Sequence, residues 1–136
     1  MEDYVSFEQA LKLKELGFDW ECNHNYKKDF YNKWIFFHCL QDAYGNHNHG
    51  IKSEPIFVSA PTLSQAAKWL REVKGISVEP FSVVTRKKWA YHLCHSIGED
   101  FGITIHIDKK DLKGYGFNTY EKALSAGIDK TLELLK

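Results

Sequence analysis

Three stretches of the chain repeat their apolar residues at helical spacing, each beginning just after a hydroxyl residue, while the residues between them follow a period of two. That alternation restricts the fold to helices packed on sheet. The first stretch opens with Ser6 and Gln9, the S-x-x-Q form in which each side chain satisfies a backbone N–H at the other end of the first turn. Phe7, Ala10, Leu11 and Leu16 follow, and Gly17 provides a stop that can adopt the left-handed conformation, with Phe18 placed to fold back on Leu13. Thr62 and Gln65 repeat the box. Behind them Leu63, Ala66, Ala67, Leu70 and Val73 form a stripe at i, i+3, i+4 and i+7, closed by Gly75 with Ile76 reaching back. The third helix starts at Thr119, carries Glu121 near its positive end, and runs through Ala123, Leu124, Ile128, Leu132 and Leu135.

Strands are expected at 34–40, apolar on both faces as in a central strand, and at 56–59, just after Pro55. The run Gly45-Asn46-His47-Asn48-His49-Gly50 between them is turn chemistry. Residues 89–97 and 103–108 flank Gly98-Glu99-Asp100-Phe101-Gly102 and predict a hairpin, with a last short strand at 115–117. Residues 81–85 fit either a strand or an irregular connection. Trp34-x4-Cys39 and Trp89-x4-Cys94 each open a strand, and each is followed by a second strand and a Thr-capped helix. The expected fold class is therefore α+β: an N-terminal helix followed by two β-β-α units, mainly antiparallel sheet with helices packed on one face. It forms a single globular domain over 1–136, with a pseudo-repeat spanning 34–75 and 89–135.

Composition narrows the function. The 136 residues are 43% apolar and 26% charged, enough to bury a core and too apolar for a disordered chain. Eighteen Lys and Arg balance 18 Asp and Glu, which argues against a general electrostatic grip on nucleic acid or an anionic membrane. Only Arg71 and Arg86 offer a guanidinium fork. The acidic start Met1-Glu2-Asp3-Tyr4 is unlike a secretory signal, and no apolar run is long enough to cross a bilayer. Three cysteines, Cys22, Cys39 and Cys94, are an odd set and read as reduced thiols in a cytoplasmic protein.

The segments from Ser6-Phe7-Glu8 through Lys14-Glu15-Leu16-Gly17-Phe18-Asp19, from Ala60-Pro61-Thr62-Leu63-Ser64-Gln65-Ala66 through Lys68-Trp69-Leu70-Arg71-Glu72, and from Thr119-Tyr120-Glu121-Lys122-Ala123-Leu124 through Ala126-Gly127-Ile128 resemble a family of small uncharacterised proteins from gut anaerobic bacteria and their phages and mobile elements. All three are helix and cap. The resemblance implies a bacterial, cytoplasmic, phage-related protein and brings no activity with it.

Chemistry concentrates in the second hairpin. Pairing Ile97 with Ile103 places Cys94 opposite His106 and His92 opposite Asp108, with Tyr91, Leu93, Ile97, Ile103, Ile105 and Ile107 on the core face. His92, Cys94, His106 and Asp108 then make a set of imidazoles, thiol and carboxylate suited to zinc. A solvated polar face is the plainer reading, since no C-x2-C or H-x3-H spacing supports it. Cys22-x-His24 and His47-x-His49 offer two ligands each. Cys94 with His106 can be drawn as a nucleophile and base, but a thiol in mid-strand lacks a helix N-terminus to activate it. Gly114-Tyr115-Gly116 lacks the third glycine of a dinucleotide fingerprint, and no other catalytic motif is present. No enzyme and no cofactor are expected.

Basic clusters lie beside aromatics at Lys27, Lys28 and Lys33 (with Phe30, Tyr31 and Trp34), at Arg86, Lys87 and Lys88 (with Trp89 and Tyr91), and at Lys109, Lys110 and Lys113 (with Tyr115 and Phe117). Such surfaces track a nucleic-acid backbone and stack its bases, so a nucleic-acid module using Arg86, Lys87, Lys88, Trp89, Lys109 and Lys110 is the alternative function. Thr62-x3-Ala66-x2-Trp69 also faintly resembles the sheet-reading arm-binding domains of some phage integrases. The leading expectation is an accessory protein acting through contacts with itself or another protein. Four Trp, seven Tyr and nine Phe supply interface anchors, and zero net charge removes long-range repulsion.

Overall fold

A computed structural model describes residues 3–28, 31, 33–38, 57–83, 87–95 and 116–135. Its elements in chain order are α1 (Phe7–Glu15), β1 (His24–Lys28), β2 (Trp34–His38), β3 (Phe57–Ser59), α2 (Leu63–Val73), β4 (Ile76–Val83), β5 (Lys88–His95) and α3 (Tyr120–Leu134). The fold is mixed α+β, with one antiparallel sheet ordered β2-β1-β3 and a second of β4 and β5. The chain divides into two compact units, Met1–Thr62 and Leu63–Lys136.

In the first unit α1 begins as its sequence dictates. The Gln9 N–H donates to Ser6 Oγ at 3.2 Å, and the Ser6 N–H donates to Gln9 Oε1 at 2.8 Å. At the other end Gly17 takes φ 94°, and the Phe18 N–H closes on the Leu13 carbonyl at 2.9 Å. Phe18, Leu13 and Ala10 are buried, and α1 packs on β3.

The central strand of this sheet is β1, not the apolar run at 34–38. His24-Asn25-Tyr26-Lys27-Lys28 carries no hydrophobic alternation and would not be read as a strand from its residues alone. It is held by its neighbours: Tyr26 lies opposite Phe36 on one side and Val58 on the other. β2, expected in the middle, lies outermost among the described strands. On the face that carries His24 and Tyr26, the His24 ring stacks on Phe36 with centroids 4.9 Å apart, and Phe7 of α1 meets Trp34 at 4.9 Å and Tyr26 at 5.4 Å. Aromatic area covers this small sheet in place of aliphatic side chains.

The second unit packs α2 and α3 against β4, with α3 also covering β5. Trp69, Leu70, Leu93, Ile128 and Leu132 are its largest fully buried apolar side chains among the described residues. Val73, expected in the α2 stripe, is exposed at the helix end. Thr119 caps α3, its hydroxyl accepting the Lys122 N–H at 3.1 Å. Residues 76–83, only part of which the sequence left open as strand, form a full strand in register with β5 from Ile76–His95 to Val83–Lys88.

Pro80 fits that register for a simple reason. Trp89 exchanges both of its backbone bonds with Phe117, each at 2.8 Å, so its N–H points away from β4. By alternation Tyr91, opposite Pro80, also points its N–H away, and the proline stands at a position where no ladder bond is due. The hairpin partner expected at 103–108 lies outside the described residues.

Candidate metal-ligating cluster

Strand alternation divides β5 as the sequence implies. Tyr91 and Leu93 are buried under α3, while His92 and Cys94 lie on the opposite face. Of the expected companions, His106 and Asp108 lie outside the described residues. The carboxylate that meets His92 comes from the other flank: Glu79 of β4 stands directly opposite it, and Ser77 stands opposite Cys94.

The three side chains converge on one carboxylate oxygen. His92 Nε2 lies 2.6 Å from Glu79 Oε2, and the Cys94 thiol donates to the same oxygen at 3.7 Å. The ligand atoms of Glu79, His92 and Cys94 all lie within 4.8 Å of one another. Ser77 Oγ donates to the other oxygen, Oε1, at 3.3 Å, so the carboxylate is held from both sides. Phe81, two residues along the same face, sets its ring 5.4 Å from the imidazole.

These contacts tune the acids in opposite directions. The hydrogen bond from His92 holds the Glu79 carboxyl below its ordinary range, helped by the imidazole's charge and outweighing partial burial. Burial, followed by the charge of Glu79, pushes the Cys94 thiol up. The thiol accordingly stands as a hydrogen-bond donor to Glu79. Glu79 was missed in the sequence because 76–80 was not read as a strand; the alternation Ile76-Ser77-Val78-Glu79 was the signal that could have found it.

The other candidates are dispersed or structural. Cys22 is buried and its thiol donates to the His24 carbonyl at 3.2 Å, while the His24 ring stacks on Phe36 and bonds Asn23 Oδ1 at 2.7 Å. His47 and His49 lie outside the described residues, as do Arg86, Lys109 and Lys110. Lys87 is exposed, Lys88 Nζ donates to Asn118 Oδ1, and Trp89 is half-buried with its ring edge-on to Tyr120 at 5.5 Å. Trp89 therefore packs within its own unit.

Two lysine–aromatic pairs lie in the first unit, on opposite faces of its sheet. Lys28 Nζ lies 5.5 Å from the Trp34 ring centroid, Lys27 Nζ lies 5.9 Å from that of Phe57, and Tyr31 is 84% exposed. Among the described residues, no helix is long and apolar enough to cross a membrane. Compared with known proteins, the chain matches no family model, no curated sequence and no solved structure.

Proposed function

We propose that this is a non-enzymatic accessory protein that works through protein contacts, the first of them with a second copy of itself. The observation that carries this reading is a row across one face of the first sheet. Ile35, Lys27 and Phe57 stand side by side in register on β2, β1 and β3, with Ile35 45% and Phe57 40% exposed. The lysine stem between them extends the apolar surface while its ammonium reaches over Phe57. A two-fold contact uses each residue twice. Covering the remaining exposed area of two Ile and two Phe contributes about 4 kcal/mol before ordering costs, at roughly half the full burial value for each side chain.

Sedimentation velocity over a range of concentrations tests this. A monomer–dimer equilibrium is expected, and changing Ile35→Lys together with Phe57→Lys weakens it about tenfold or more. A chain that stays monomeric at every concentration removes the reading.

One observation supports a second reading, single-stranded nucleic acid. Tyr31, between Lys28 and Lys33 in the sequence, is exposed. Mixed oligonucleotides at low salt would then bind, with an affinity that falls steeply as salt rises and is reduced by Tyr31→Ala. Absence of binding at low salt ends it.

A further inference from the structure

We propose that Glu79, His92 and Cys94 form a three-ligand site for a divalent ion of the zinc class, on the face of the β4–β5 hairpin that α3 leaves uncovered. The inference stands apart from the association reading, which rests on the first unit.

The geometry is close to what such an ion requires. Tetrahedral zinc, with bonds of about 2.0 Å to N and O and about 2.3 Å to S, sets its ligand atoms roughly 3.3–3.6 Å apart. Cys94 Sγ is 3.7 Å from Glu79 Oε2, and no pair of the three exceeds 4.8 Å. The His92–Glu79 separation of 2.6 Å is that of a proton held between two acceptors, and it would open by about 0.7 Å to reach the ligand spacing of a tetrahedral ion. Glu79 and His92 are direct partners in a hydrogen-bonded ladder and Cys94 is the next same-face residue on β5, so the register already sets the three side chains on one face.

Ser77 adds the outer contact that metal-bound carboxylates usually have. Its hydroxyl holds Oε1 and leaves Oε2 aimed at the imidazole and the thiol. The donor set selects the metal: one imidazole nitrogen, one thiolate and one carboxylate suit zinc or cobalt and disfavour magnesium and calcium, which prefer oxygen. Binding displaces the proton between Nε2 and Oε2, which moves to Nδ1 of a neutral ring or leaves an imidazolium for solvent, and the Cys94 proton is released to solvent. Glu79 is half-exposed, so the fourth tetrahedral position faces water.

The test is titration of untagged full-length protein with cobalt(II), followed by displacement with zinc. One equivalent should bind, with the visible bands of tetrahedral cobalt and a thiolate-to-cobalt charge-transfer band. Cys94→Ser should abolish the charge-transfer band. Glu79→Gln and His92→Ala should each weaken binding about tenfold or more, and Ser77→Ala should weaken it about tenfold while keeping the bands. His47→Ala with His49→Ala should change nothing. Independently of any variant's folding, zinc should slow alkylation of Cys94 in the wild-type chain, read by peptide mapping. Absence of a tetrahedral cobalt spectrum, binding that survives Cys94→Ser and His92→Ala unchanged, loss with the His47/His49 variant, or unprotected Cys94 overturns the proposal.

Discussion

Tyr26 ties the aromatic face of the first sheet to the segment before α1: its hydroxyl donates to the Val5 carbonyl at 2.8 Å, and burial raises its pKa above the ordinary tyrosine value. A raised acid is protonated more tightly when folded. Its contribution is therefore complete below the unfolded pKa of about 10 and is lost as pH climbs through the folded value. Tyr26→Phe is expected to cost about 1 kcal/mol at neutral pH, the net worth of one hydrogen bond, and to flatten the loss of stability above about pH 10. Denaturant melts of both chains across that range check it, and an unchanged alkaline slope would sink the argument. The second hairpin shows why some residues are legible from sequence and others are not. His92 and Cys94 were placed on one face by the period of two alone. Glu79 became their neighbour only through the β4–β5 register, a fact about pairing between segments and not about either segment.

The helices were the most legible elements, because their signals are local. Ser6, Gln9, Gly17 and Phe18 all act within one or two turns of α1, and each does what its spacing implies. Removing the cap with Ser6→Ala should lower stability by about 1 kcal/mol, seen as a reduced urea midpoint with an unchanged m-value. Within α3, Gly127 has a role its sequence context conceals. A Cβ there would collide with Val78 Cγ1 of β4 and press on the Tyr91 ring of β5 at 3.2 Å. The helix approaches the sheet this closely because the glycine is there. Elsewhere in a helix Gly→Ala gains about 1 kcal/mol, but at this position the forced repacking costs about 1–3 kcal/mol. Gly127→Ala should therefore fail to stabilise, and a higher Tm for the variant would disprove the close approach. The strands were read less well. β2 resembled a central strand by its apolar run, whereas the polar β1 took the centre by gaining partners on both edges. Strand propensity measures how well a pleated surface is covered, and here aromatic rings from Tyr4, Phe7 and Phe36 cover His24 and Tyr26.

At the scale of the whole molecule, balanced charge leaves no net repulsion between copies, and the exposed row of Ile35 and Phe57 is where the proposed contact would form. If that row is the interface, raising salt should leave dimerisation nearly unchanged, because apolar burial is insensitive to screening; a steep loss with salt, followed by sedimentation, would instead assign the contact to the lysines. The amino-acid sequence by itself determined the α+β class, both ends of α1, the start of α3, most of the core stripes of α2 and α3, and the sidedness of β5. Each follows from a period or a cap operating over a few residues. Tertiary structure alone decided that β1 lies between β2 and β3, that Pro80 stands in a strand at a position owing no ladder bond, and that Glu79 meets His92 and Cys94. Those outcomes depend on which distant segments pair and in what register, and pairing is chosen by the burial that the assembled sheet achieves, a quantity no single segment contains.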